Sequence, residues 1–513
     1  MDLVKDKKSL PQAESASSRY RNPIGKYIIK RSADCNECGL CARLCPYGVH
    51  PHYDAYSGTL RPRMDRCIGF ECAANDYYCI DRCPQKALTL RLNPLIKTLG
   101  DYRWPAEMLL GHWAMAETGE LPVPKLEYST GNSGGGFDRM RFKPAPMEQY
   151  LDVTDEEIDT SVKLNRRNDG RLPLTIDIPV YGGGMSFGST ALSVLVGRAR
   201  AAKKLGTLTC TGEGGYHEKI TPYAGNIITQ VATGLFGVRE ETIRRAPMVE
   251  FKYAQGAKPG LGGHLLGDKV TAEVAAIRQT VIGNALFSPF PFHSVYSVED
   301  HKKHVDWVKH INPEGLVSVK VSTPADSDMV AVGVYYAGAH VIHFDGSYGG
   351  TGAAPDIAKK NIAMPIEYAI PRVHRFLESE GVRGQVTLIA SGGIRSAMDV
   401  AKAIALGADG VVIGTAELVA LECVRCGHCE SGRGCPRGIA TTDPELGHVI
   451  TEEWAEQRIV NMYIAWRKQW CELLRQYGMK SIKELVGRSD LLMHLDYMEE
   501  EERKEYESGG GEL

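Results

Sequence analysis

Short apolar runs alternate with amphipathic stretches for roughly 250 residues from about residue 171 onward, the rhythm of a βαβ chain. The runs LTIDIPV (174–180), TLTC (207–210), MVEFKYA (248–254), VSVKVS (317–322), HVIHFD (340–345), VTLIAS (386–391) and GVVIGT (410–415) each predict a strand, and VIGNALFSP (281–289) predicts an eighth. Several are continuously apolar, as strands covered on both faces are. ALSVLVGRARAAKKLG (191–206) and SAMDVAKAIALG (396–407) carry apolar residues at helical spacing. The expectation is an α/β fold, a (β/α)8 TIM barrel over 171–443, with a charged helical extension, 444–513, packed on its outside. Ahead of it, 1–25 is polar and weakly patterned and reads as a disordered lead. Residues 26–92 are short and cysteine-dense, and 93–170 read as a connector with Trp104, Pro105, Pro122, Pro124 and a glycine-rich stretch at 131–136.

At 513 residues the chain exceeds one hydrophobic core. Its net charge of −3 gives no overall imbalance pointing to nucleic acid or a membrane surface. No stretch approaches the roughly 20 apolar residues that span a bilayer, and the start, MDLVKDKKSLPQAESASSRYR, has no apolar core of a signal peptide. A cytoplasmic protein is expected. The 14 cysteines sharpen this picture: eight lie between Cys35 and Cys83, four between Cys423 and Cys435, and only Cys210 and Cys471 stand alone. Clustering in a large chain without export signals points to metal or iron–sulfur ligation rather than to disulfides.

Cys35-x2-Cys38-x2-Cys41-x3-Cys45-Pro46 is the bacterial ferredoxin run, and Cys67-x4-Cys72-x6-Cys79-x3-Cys83-Pro84 repeats its ending with a looser spacing. Zinc also takes paired Cys-x2-Cys units, but two Cys-Pro endings and eight thiolates favour two [4Fe–4S] clusters. The crossed ligation of two-cluster ferredoxins implies Cys35, Cys38, Cys41 and Cys83 for one and Cys67, Cys72, Cys79 and Cys45 for the other. Electron transfer is therefore the expected class of chemistry.

Glycine-rich strings follow the strands: YGGGMSFGS (181–189), CTGEGGY (210–216), AQGAKPGLGGHLLG (254–267), FDGSYGGTGAAP (344–355) and SGGIRS (391–396). With QVATGLFGV (230–238), SPFPFHSVYSVEDH (288–301), CPRGIATTD (435–443) and SIKELVGRSDLL (481–492), their order and spacing resemble the FMN-binding synthase domain of glutamate synthases. The ferredoxin repeat in front makes the whole chain similar to the archaeal type of that family. The resemblance implies FMN, its phosphate at Ser391, Gly392, Gly393, Gly414 and Thr415, and its ring against Met185, Ser186, Thr211 and Gln255. Lys320 would face the pyrimidine edge, where a positive charge stabilises the anionic reduced flavin. Lys258 would polarise 2-oxoglutarate, Lys252 would add charge for a carboxylate, and Glu213 would lie where ammonia enters.

Cys423, Cys429 and Cys435 match the family's [3Fe–4S] positions, with one residue more in the last gap. The additional Cys426 supplies a fourth thiolate, so a [4Fe–4S] centre is expected there, with [3Fe–4S] the alternative. Leu235, Leu261, His264 and Cys210 depart from the family's usual strings at places that bear on the substrate. The chain has neither an N-terminal glutaminase cysteine nor a dinucleotide G-x-G-x-x-G. Ammonia is therefore expected from a separate glutaminase-type subunit or from solution. Electrons are expected from an NADPH-binding subunit or ferredoxin, in an oligomer. Two further readings are an amine transferase of the N-methylglutamate synthase type and an iron–sulfur/flavin electron-transfer subunit.

Overall fold

The computed structural model describes residues 10–20, 23–51, 62–75, 78–122, 136–171, 173–290, 292–351, 354–430 and 433–494. Eight parallel strands close into a barrel in chain order: β1 (Val180–Gly182), β2 (Thr209–Cys210), β3 (Ile227–Ala232), β4 (Met248–Lys252), β5 (Leu316–Ser322), β6 (Val341–Asp345), β7 (Thr387–Ser391) and β8 (Gly410–Ile413). Strand β8 pairs with β1, which closes the ring. The (β/α)8 class is the one expected from the sequence.

Two strand expectations need correction. Within LTIDIPV only Val180 enters the barrel. Thr175–Ile176 pairs antiparallel with Val162–Lys163, and this hairpin plugs the floor with Val162, Leu164 and Ile176. VIGNALFSP supplies no barrel strand either. Its Leu286–Phe287 pairs antiparallel with His264–Leu265 inside the long β4–β5 insertion, and Phe287 is largely exposed. The missing strand is β3. Its polar Thr229 and Gln230 interrupt an otherwise apolar run, and both are buried.

Period-2 alternation sorts the strand residues into layers. Outward residues such as Val249, Phe251, Val319 and Ile342 join the core under the helices. Inward residues at the amino ends, Ile228, Met248, Leu316, Val341 and Ile389, form an apolar floor. Two residues further along each strand comes a polar layer, Gln230, Glu250, Ser318 and His343, and two further still lie Lys252, Lys320 and Asp345. The paired registers Met248–Leu316, Glu250–Ser318 and Lys252–Lys320 lock this layering.

Outside the barrel, helix Glu452–Gln476 starts at Thr451, whose side chain accepts from the Trp454 N–H. It packs on helices Leu192–Lys204 and Ala106–Thr118, burying Ile459, Tyr463, Trp466 and Trp470. Glu417, in the turn of helix after β8, ties this layer to the barrel. Its carboxylate takes Arg198 Nε at 2.7 Å and the Tyr463 hydroxyl at 2.8 Å, while Arg198 Nη2 donates to the Gly183 carbonyl at 2.5 Å. Ahead of the barrel, Tyr27–Arg31 and Leu88–Leu92 form an antiparallel pair carrying the short helices Leu40–Leu44 and Cys79–Arg82. Among the described residues, no helix is long and apolar enough to cross a membrane.

Glu417 leaves a buried guanidinium and a buried phenol without their partner when it is removed. Glu417→Ala is expected to cost about 3–5 kcal/mol and to lower the thermal midpoint, read by calorimetry on cofactor-loaded protein. A loss below about 1 kcal/mol would mean that the pair does not hold the seam.

Candidate functional site

The carboxyl ends of the barrel strands surround a cavity, the face on which TIM barrels place their chemistry. Of the residues singled out in the sequence, its wall contains Met185, Ser186, Glu213, Lys252, Gln255, Lys258, Lys320, Ser391, Gly392, Gly393, Gly414, Thr415 and Cys429. Thr211 stands apart from the wall: its hydroxyl donates to the Gly212 carbonyl and accepts from the Gln230 N–H. The wall also contains residues that the sequence did not single out, notably Arg103, Arg278, Asp345 and Tyr348.

Asp345 organises the cation side. Its Oδ2 accepts the Gly256 N–H at 3.0 Å and lies 3.4 Å from Lys320 Nζ, and its Oδ1 accepts the Ser391 hydroxyl at 2.6 Å. From Ser391 a buried chain runs inward: His343 bridges Ser391 Oγ at 2.7 Å and Glu250 Oε2 at 2.9 Å, and Gln230 Nε2 donates to Glu250 Oε1 at 2.7 Å. Burial alone would raise the Glu250 carboxyl. His343, Lys320 and the Gln230 amide outweigh it and hold the group at about 2. Lys320 follows the same logic with the sign reversed: burial lowers it, yet Asp345 and Glu250 raise it above the ordinary lysine value.

A second group faces the same cavity. Lys252 Nζ sits 2.8 Å from Glu213 Oε2 and donates to Gln255 Oε1 at 2.6 Å. Glu213 is buried, which raises its carboxyl, but Lys252, Lys258 and Lys320 bring it below the usual value. Lys258 Nζ lies 3.4 Å from His264 Nδ1. Burial and the neighbouring Lys252 lower its ammonium, with Glu213 acting in the opposite sense. Arg278, on helix Ala272–Arg278, donates to Ser186 Oγ at 2.9 Å and to the Phe187 carbonyl at 3.1 Å. Of the four sequence departures only His264 is in the wall. Leu235 and Leu261 are exposed at 57% and 49%, and Cys210 is buried beneath the site with its thiol pushed up to about 12.

The cysteines gather in three places. One cavity of the N-terminal unit is lined by Cys35, Cys38, Cys41 and Cys83, and a smaller one by Cys45, Cys67 and Cys72; Cys79 lines both. Burial pushes Cys67 up to about 11 and Cys79 up to about 12, so both are thiols near neutral pH. The third group lies in the loop after β8. Cys423 and Cys429 each feel Cys435, Cys429 feels Cys426 as well, and Cys429 reaches the barrel cavity. Lys269 Nζ donates to the Cys429 carbonyl at 2.6 Å. Among the described residues, no three His, Cys, Asp or Glu side chains converge on one ion.

Fold and wall together define a TIM-barrel protein with a buried, cation-rich site at the carboxyl ends of its strands. A sequence profile for the conserved region in glutamate synthase matches residues 143–480. The archaeal-type glutamate synthase [NADPH] of Dehalococcoides mccartyi is 37% identical over 90% of this chain and 94% of its own. The archaeal glutamate synthase [NADPH] of Methanocaldococcus jannaschii is also 37% identical, over 93% of this chain and 96% of its own. The glutamate synthase [NADPH] large chain of Azospirillum brasilense is 35% identical over 60% of this chain and 21% of its own. Among solved structures, a mandelate oxidase mutant carrying an FMN adduct superposes with a TM-score of 0.42 at 16% identity, covering 76% of this chain and 91% of that one. The chain belongs to the glutamate synthase family, in its archaeal type, and is an oxidoreductase of that family.

The lowered ammonium of Lys258 gives a direct test. A small amine reagent such as cyanate is expected to modify Lys258 at a lower pH than exposed lysines, followed by peptide mass spectrometry across pH. Glu213→Gln removes a charge that favours the ammonium, so the midpoint should move lower still. A midpoint that stays put would remove Glu213 from the electrostatics of Lys258.

Proposed function

We propose that the protein is the catalytic subunit of a glutamate synthase, forming L-glutamate by reductive amination of 2-oxoglutarate at an FMN held in the barrel mouth. The observation that carries this reading is the wall itself: Lys252, Lys258, Arg278 and Lys320 face one cavity whose acids are Glu213, Asp345 and Glu430, the last paired with Lys269. That surplus of buried positive charge suits a dianionic substrate.

The cavity fits a flavin. Gly184 lines it where a Cβ would stand 3.1 Å from Gln230 Nε2 and from Gly212 Cα, and at Gly350 a Cβ would stand 2.0 Å from Thr415 Oγ1. Such bare backbone lets a flat ring and a phosphate come close. Bound there, FMN would accept single electrons from the clusters and supply hydride to the substrate carbon. The protein's own residues do the rest. Arg278 and Lys258 bind the keto acid, and the Lys258 ammonium polarises its carbonyl oxygen. Glu213, held ionised by Lys252, carries protons to and from the nitrogen as the imine forms. Lys320, kept charged by Asp345, favours the reduced flavin. For each glutamate, 2-oxoglutarate, ammonium, two electrons and two protons give glutamate and one water.

The two N-terminal cysteine cavities suit the crossed pair of [4Fe–4S] clusters, since each offers one complete set of four thiols. The loop at 423–435 suits a third cluster beside the flavin. Ammonia comes from glutamine through a glutaminase-type subunit, and electrons come from an NADPH-binding subunit or ferredoxin; the relatives named for NADPH support the former.

The test is glutamate formation by anaerobically purified, cluster-loaded full-length protein, with reduced dye, 2-oxoglutarate and either ammonium or glutamine. Glutamate from ammonium is expected, and Lys258→Ala should lower it at least about 100-fold while dye still bleaches the flavin. No glutamate from either nitrogen source, with flavin and clusters present and reducible, would overturn the reading; turnover with methylamine alone would move it to an amine transferase. A separate measurement addresses Cys426. The protein as isolated should lack the EPR signal of an oxidised [3Fe–4S] centre, and Cys426→Ser should produce it. The signal in unsubstituted protein would exclude the four-thiolate centre.

A further inference from the structure

We propose that Arg103, in the connector ahead of the barrel, is an anion ligand of the cavity and binds the phosphate of FMN. This deepens the flavin reading above and rests on it. Arg103 lies outside the stretch matched by the glutamate synthase profile, 143–480, so that comparison assigns it nothing.

The argument starts from counter-ions. Among the described residues six arginines are buried: Arg103, Arg198, Arg278, Arg383, Arg395 and Arg458. Arg198, Arg383, Arg395 and Arg458 each have a carboxylate within 4.0 Å, from Glu417, Asp409, Asp138 and Glu422 respectively. Among the described residues, Arg103 and Arg278 have none, and both line the same cavity. A buried guanidinium without a counter-charge is costly, and a site that keeps one is poised for an anion. Arg278 stands with Ser186, within the field of Glu213, on the substrate side of the reading above. Arg103 stands elsewhere, at the glycine loop after β7.

The surroundings of Arg103 fit a phosphate. Its guanidinium lies 3.8 Å from the centroid of the Tyr348 ring, which fixes its plane. Nη2 reaches the Gly393 carbonyl only at 3.5 Å, and Nη1 is buried with no hydrogen-bond partner. Glu367, the acid whose field reaches this arginine, is engaged by the Gly136 N–H at 2.6 Å. Gly392 and Gly393 beside it have φ of +90° and +85°. A Cβ at Gly393 would stand 2.8 Å from Arg103 Nη2, and one at Gly392 would stand 2.4 Å from the Gly346 carbonyl oxygen. A side chain at either position would meet the arginine or the neighbouring backbone, so only glycines let this loop pack directly against the guanidinium. The Arg103 carbonyl in turn accepts from Arg395 Nη1 at 2.9 Å, so the residue is held in place by its backbone and its Nη1 remains for a ligand.

Arg103→Gln tests this on the full, cluster-loaded chain with flavin removed, by titrating FMN and riboflavin separately through flavin fluorescence. The two flavins differ only in the phosphate. FMN affinity should fall roughly tenfold or more, riboflavin affinity should change less than about twofold, and Arg103→Lys should restore part of the preference for FMN. An unchanged FMN-to-riboflavin ratio, or an equal loss for both, would overturn the assignment while leaving the flavin reading intact. Absence of flavin binding by the unsubstituted protein would overturn both. If Arg103→Gln does not fold, Arg103→Lys is read by the same ratio.

Discussion

The site depends on one buried carboxylate that cannot move. Asp345 spends its oxygens on the Gly256 N–H, the Ser391 hydroxyl and the Lys320 ammonium, and so joins the ends of strands β5, β6 and β7 to the loop after β4. Behind it, His343 and Glu250 extend the same set of hydrogen bonds into the barrel. Buried charges of this kind are costly when incompletely partnered, because the desolvation of each ion is offset only by hydrogen bonds to every exposed lone pair. Here nearly every acceptor is used. The result is a buried lysine that stays charged, at a position fixed by a strand.

The barrel makes this possible by separating apolar and polar burial along its axis. Met248, Leu316, Val341 and Ile389 fill the floor, and the residues two and four positions further on face the mouth. The energy of the fold is supplied by the floor and the outer layer, where apolar surface leaves water. The mouth can then carry groups that no stable core would choose. Lys252 with Glu213, and Lys258 with His264, are such groups. Lys252 stands at the end of β4 itself, while Glu213, Lys258 and His264 come from the loop after β2 and from the β4–β5 insertion.

Much of this was legible in the chain. Strand-end glycine strings marked the mouth, and all but one of the flavin and substrate candidates do line it. Thr211 was the exception because position alone cannot show that its hydroxyl is committed to the backbone. The strand β3 was overlooked because Thr229 and Gln230 break the apolar run; inside a barrel, polar residues alternate inward as readily as apolar ones when a partner such as Glu250 awaits them. VSVKVS and HVIHFD likewise carry Ser318, Lys320, His343 and Asp345 at alternate positions, on the inner side. Arg278 and Arg103 carried no local signal at all. One lies at the end of an ordinary helix and the other in a proline-flanked connector, and only their lack of a carboxylate partner in three dimensions sets them apart.

That connector is where composition misleads most. Residues around Trp104 and Pro105 read as a linker, yet helix Ala106–Thr118 buries Met108, Leu109, Met115 and Ala116 against the barrel and the long C-terminal helix. Two of the connector's residues hold the N-terminal unit: Asn93, at its start, donates from Nδ2 to the Gly25 carbonyl at 2.8 Å, and Glu117, near the helix's end, lies 3.4 Å from both Arg63 and Arg66. Between them, the Gly100 N–H donates to the Val424 carbonyl at 3.1 Å and Asp101 pairs with Arg425 at 2.9 Å, inside the third cysteine loop. His112 Nε2 then reaches the Arg395 carbonyl at 2.7 Å, next to the glycine loop after β7. One buried segment therefore touches the N-terminal cysteine unit, the third cysteine loop and the barrel mouth. A flexible tether would let the distances among these three vary; the packed segment, with charged and backbone contacts to each of them, fixes those distances.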